Sequence, residues 1–79
     1  MSEVEVEIVG PIRRPKGAGS RLRVPLPEKG TVAAVLEALG YGEADRAMLR
    51  AMIDGQPVHH EHRLAGGESV KVFMVLGGG

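Results

Sequence analysis

The chain has no cysteine, no tryptophan, one tyrosine, one phenylalanine and no excess of either charge, with ten basic side chains balancing ten acidic ones over 79 residues. Each shortage removes a class of function. Without cysteine there is no disulfide framework, no thiolate nucleophile and no thiolate metal site, so any sulfur chemistry has to use another group. A formal net charge of zero argues against a general binder of polyanions. The stretch from Ile8 to Pro27 holds Arg13, Arg14, Lys16, Arg21 and Arg23 without an acid, yet it has no aromatic ring to stack on a base. Nucleic acid is therefore not an expected partner. No apolar run reaches the ~18 residues of a membrane span, and the N-terminus lacks a basic segment followed by an apolar one. The chain reads as soluble and cytoplasmic. No serine stands beside a histidine and no phosphate-cradling glycine loop with its lysine precedes a helix, so the chain is not expected to be an enzyme in its own right.

What is present is enough for one small domain that buries only about 60–65% of its unfolded surface. Val4, Val6 and Ile8 alternate with Glu3, Glu5 and Glu7, the period of a strand with one buried and one wet face. After Gly10-Pro11, the segment Arg13 to Ser20 reads as a long, flexible, basic hairpin loop. Leu22, Val24 and Leu26 alternate again, with Pro25 forcing an edge position because it cannot donate to a ladder. Thr31 can cap a helix whose apolar face is Val32, Val35, Leu36 and Leu39, and Gly40 ends it. Residues 41–49 are ambiguous, with a short second helix as one reading. Arg50 to Ile53 reads as a third strand, closed by Asp54-Gly55 and followed by Gln56-Pro57-Val58. Leu64 is expected to plug the core from a loop, and Gly66-Gly67 to make the last turn.

The closing stretch, Val70 to Leu76, is apolar on both faces and runs into Gly77-Gly78-Gly79. Such a strand belongs at the centre of a sheet, with the first strand as its parallel neighbour. Val70, Val72, Met74 and Leu76 share the face under the helix. Phe73 and Val75 share the other, where Phe73 is expected to be substantially exposed and to grip a partner; the competing reading puts it in a core covered by Met48 and Leu49. Three glycines without Cβ cannot pack, so a flexible tail is expected at residues 77–79 beyond a single domain at 1–76. A glycine tail is also the narrowest thread that can enter another protein's active site. Its terminal carboxylate is ionised at neutral pH and is a competent nucleophile once ATP is placed beside it.

His59-His60-Glu61-His62 is the one metal-like cluster. Neighbouring loop residues seldom converge on an ion without a distant further ligand, so a solvated connection is expected and no metal.

The element order, the helix opening at Thr31-Val32-Ala33-Ala34-Val35-Leu36, the segment Ile53-Asp54-Gly55-Gln56-Pro57-Val58, Leu64 ahead of Gly66-Gly67-Glu68, and Gly78-Gly79 at the end resemble the β-grasp, ubiquitin-like sulfur carriers. These are of the molybdopterin-synthase small subunit and thiamine-biosynthesis carrier (MoaD/ThiS) type. The resemblance covers essentially the whole chain. It implies an α+β fold, a mixed sheet of four or five strands packed on one main helix. It also implies a carrier activated by an adenylating enzyme that consumes ATP, after which sulfur replaces the adenylate as a thiocarboxylate on Gly79, with Gly78 as the slim spacer. Gly77, Phe73 and Val75 would be contacted by the partner. No bound cofactor is implied; a large synthase subunit is a second implied partner. Molybdopterin or tungstopterin synthesis, thiamine synthesis and tRNA thiolation are all open destinations. The alternative is a ubiquitin-like modifier joined through Gly79 to lysines of other proteins. Gly77 and the long basic loop depart from a minimal carrier.

Overall fold

The structure is a computed structural model, and it describes residues 2–10, 12 and 20–75. Leu76, the glycines Gly77, Gly78 and Gly79, and the basic loop apart from Ser20 lie outside the described residues.

The acidic-apolar alternation forms β1 (Glu3–Val9) with Val4, Val6 and Ile8 buried. It pairs antiparallel with β2 (Arg21–Pro25), whose proline stands on the sheet's edge as its missing N–H requires. The main helix α1 (Val32–Ala38) is followed by a six-residue α2 (Glu43–Met48). The chain continues through β3 (Leu49–Ile53), β4 (Gln56–Val58) and β5 (Ser69–Met74). The sheet order is β2-β1-β5-β3-β4, so the final strand is central, parallel to β1 and antiparallel to β3. Asp54 and Gly55 both have positive φ, 53° and 76°, the conformation of a two-residue hairpin turn that matches strand twist.

One layer of helix covers one face of this sheet. Val32, Val35 and Leu36 of α1 pack with Val4, Val6, Ile8, Val70, Val72, Leu49 and Ala51, while α2 buries none of its residues. Two core members escape the sequence patterns. Tyr41 is buried because the chain turns back after Gly40 (φ 96°), its amide donating to the Leu36 carbonyl at 3.2 Å; Ile12 is buried just beyond β1. Neither lies in a periodic segment, which is the signal the alternation relies on.

The start of α1 has its first free donors met. The amides of Val32 and Ala33 donate to the carbonyls of His62 and His60 at 3.1 and 2.9 Å, and Ala34 donates to Thr31 Oγ1 at 3.1 Å. The histidine segment thus serves the helix through its backbone. Leu64 follows it into the core as expected, its amide bonded to the Gly30 carbonyl at 2.7 Å.

At the turn into β5 the Glu68 carboxylate accepts from the amides of Ala65 and Gly66, both at 2.7 Å. The Ala65 N–H foremost, then that of Gly66, holds its pKa below the ordinary value, against a partial desolvation that raises it. A depressed carboxylate contributes stability above its unfolded pKa, about 4.3, and loses it as pH falls through the folded value. Glu68→Gln is therefore expected to be less stable than wild type at neutral pH, with the difference shrinking below about pH 4. Urea unfolding at several pH values checks this; a difference that does not depend on pH contradicts it.

Candidate functional site

The end of β5 is where the chain's chemistry has to be sought, because the glycine run follows directly from it. Register places Val9 of β1 opposite Phe73, and Phe73 opposite Arg50 of β3. All three stand on the sheet face away from α1, since the inward positions on these strands are taken by Ile8, Val72 and Leu49. One step on, the Val75 amide donates to the Met48 carbonyl at 2.9 Å, extending the β3–β5 pairing past the last strand residue.

Among the described residues the exposed large apolar side chains are Val9, Met48 and Val75, at 40%, 43% and 39% relative exposure. All three belong to this one end of the sheet. The opposite end of the same face is polar: Arg21 approaches Glu7 at 3.9 Å, Lys71 stands across from Glu7, and Ser69 Oγ donates to Glu5 at 3.0 Å. An apolar collar therefore lies at the end of β5, next to a charged surface that is self-neutralising.

Val75 is exposed, as the alternation predicts. Phe73 is not: it is half-buried, which corrects the expectation of substantial exposure. Its cover comes from within the sheet, where directly opposite side chains approach to ~5 Å, so Val9 and Arg50 flank the ring. The competing reading, a core closed by Met48 and Leu49, also does not describe it, because Leu49 is buried on the other face and Met48 is exposed. Gly77, the third expected contact residue, lies outside the described residues. Val9 and Met48 were not among the expected contact residues. Val9 carries a signal: it is apolar on a strand face otherwise made of Glu3, Glu5 and Glu7, and parallel pairing with β5 sets it beside Phe73.

Phe73→Ala is expected to cost less folding free energy than the ~3–5 kcal/mol of a core phenylalanine, because part of the ring is already wet. It should nevertheless weaken a partner that grips this collar by about 2 kcal/mol. Chemical denaturation, and titration with an adenylating enzyme of the kind the resemblance implies, separate the two effects. A full core-sized loss of stability with unchanged binding would show that Phe73 belongs to the fold alone.

No group of three or more histidine, aspartate or glutamate side chains is placed to hold a metal ion among the described residues. The histidine segment instead spends its groups on the fold: besides the two carbonyls at the helix start, the His60 Nε2–H donates to the Leu49 carbonyl at 2.8 Å. No helix among the described residues is long and apolar enough to cross a membrane.

Solved structures with the same fold include the small archaeal modifier protein 1 of H. volcanii, 16% identical, TM-score 0.71, covering 94% of this chain and 98% of that one. A Pyrococcus furiosus protein named provisionally as molybdopterin converting factor, subunit 1, is 22% identical with TM-score 0.68 and the same coverage. The ubiquitin of Caldiarchaeum subterraneum is 18% identical, TM-score 0.60, covering 99% of this chain and 98% of its own. At these identities the likeness is one of fold, the ubiquitin-like β-grasp. No curated protein matches the sequence. The ThiS family model, however, matches residues 6–79, from the first strand through the last glycine, and the chain belongs to the ThiS family.

Proposed function

We propose that this protein is a sulfur carrier whose Gly79 carboxyl is adenylated by a partner enzyme and then converted to a thiocarboxylate. Membership of the ThiS family, together with a fold shared with a small archaeal modifier protein, a molybdopterin converting factor subunit and a ubiquitin, supports a sulfur carrier or ubiquitin-like modifier in general. The observation that carries the reading is the apolar collar of Val9, Met48, Val75 and half-buried Phe73 around the strand end from which the glycine run leaves. A partner that grips the collar holds the one segment narrow enough to enter its active site.

The chemistry needs little from the carrier itself. A Gly79 carboxylate oxygen attacks the α-phosphorus of ATP and pyrophosphate leaves, giving an acyl adenylate. A sulfur nucleophile at the sulfide level then attacks the carbonyl, AMP leaves with the bonding pair, and a thiocarboxylate remains. Gly78 and Gly77 serve as spacers without side chains, and a synthase subunit of the kind paired with molybdopterin converting factors is the receiver we infer.

Incubation with an adenylating enzyme, ATP and a sulfide source, followed by intact-mass and C-terminal peptide measurement, tests this. The expected result is the mass difference of sulfur for oxygen, located on Gly79. Ligation of Gly79 to lysines of other proteins without a thiocarboxylate would establish the modifier reading in its place, and no adenylate at all would overturn both.

A further inference from the structure

We propose that the junction of α2 and β3 is a clamp that fixes where the tail leaves the domain, and that His60 locks it. This rests on the carrier reading above.

Three successive carbonyls at this junction are engaged. That of Ala47 accepts from Arg50 Nη1 at 3.1 Å, that of Met48 from the Val75 amide at 2.9 Å, and that of Leu49 from Arg50 Nη1 at 3.0 Å and His60 Nε2 at 2.8 Å. A carbonyl only accepts, so Nε2 carries the hydrogen. The Leu49 side chain is 1% exposed and pins the junction to the core from beneath. His60 is held in turn, because its own carbonyl accepts the Ala33 amide at the start of α1. The ring therefore ties the main helix to the backbone that holds Val75. The half-buried ring reaches a backbone carbonyl eleven residues away, which gives it a positional role.

The consequence for transfer is geometric. Beyond Val75 four residues lead to Gly79, and an extended chain spans at most ~3.3–3.6 Å per residue, so the carboxyl reaches no further than about 14 Å from the clamp. A root that wanders enlarges the set of places the carboxyl visits, and ordering it then opposes binding. His60 is thus a positioning residue acting through Leu49 and Met48 on the amide of Val75.

The test measures amide exchange of Val75 relative to Val72 in the full chain, and KM and kcat for adenylation, in wild type, His60→Ala and His60→Gln. Losing one hydrogen bond predicts a Val75-to-Val72 exchange ratio raised roughly fivefold in His60→Ala, with KM raised by a similar factor and kcat kept. Gln restores a donor near the Nε2 position and should recover both. An unchanged ratio overturns the lock, and a raised ratio with unchanged KM overturns its role in positioning. Should His60→Ala fail to fold, Val75→Pro removes the clamped donor, though it also fixes φ there and changes a collar side chain, so an unchanged KM in that variant overturns the proposal equally. The exchange measurement needs no partner, so it decides the lock even where removal of Gly79 leaves adenylation intact and the carrier reading fails.

Discussion

Removal of Gly79 is expected to lower the rate of adenylation by at least ~100-fold while leaving the unfolding midpoint where it was. The shortened chain still offers a glycine carboxylate with the same intrinsic nucleophilicity, so the loss comes from position alone. Deleting one residue withdraws the acid by ~3.3–3.6 Å from a point fixed by the Val75 amide on the Met48 carbonyl. Misplacement of a reacting atom by even ~1 Å can cost about 10²-fold in rate, and here the anchor prevents the tail from sliding forward to compensate. Stability is untouched because glycine has no side chain to bury, while the core runs from Val4 to Val72. Pyrophosphate exchange and calorimetry on the same preparation check both halves. A truncated chain adenylated at the wild-type rate would mean that Gly79 is not the activated residue. Replacing Gly78 by valine tests the narrow thread separately: the carboxyl keeps its reach, so any loss there reports width and not length.

Most of the fold was legible because its elements obey simple periods. Val4, Val6 and Ile8 alternate with glutamates, the helix face recurs at Val32, Val35 and Leu36, and the two-faced apolar run of β5 can be satisfied only at a sheet's centre. The site was legible in its direction but not in its make-up. Val75 follows from the alternation, whereas the half-burial of Phe73 depends on which residues stand across from it, Val9 and Arg50, and thus on register between strands far apart in sequence. Met48 belongs to a six-residue helix too short and too polar for a periodic signal; its exposure is decided by how the chain leaves α2 to enter β3. The histidine segment offered a metal-like pattern. Its actual bonds run to backbone groups, which no side-chain spacing announces. Tyr41 and Ile12 are core although neither sits at a repeat position.

Leu36→Ala should show the reverse of the Gly79 deletion, a large loss of stability with the chemistry intact. Leu36 is fully buried, and it lies on the one helix that covers the sheet, since α2 contributes no buried residue. Truncating such a leucine costs ~2–5 kcal/mol, the lost transfer free energy plus the cavity left behind. A domain of this size has roughly 4–12 kcal/mol in all, so from about a sixth of the total upward is at stake. For a 60–100-residue domain each kcal/mol moves the midpoint by about 4–8 °C, and a fall of at least ~8 °C is therefore expected in calorimetry. Leu36→Met, which nearly conserves volume, should cost under ~1.5 kcal/mol and so separates the cavity from any special role of the position. Adenylation measured well below the new midpoint should proceed at nearly the wild-type rate, because the hydrogen bonds that hold the tail's root are formed by residues 47–50, 60 and 75 and none of them by Leu36. A variant that keeps its stability would mean that α1 is not the main cover of the sheet. One that folds yet fails to be adenylated would mean that the helix face and the tail are coupled through the core, by a route other than the clamp at Met48.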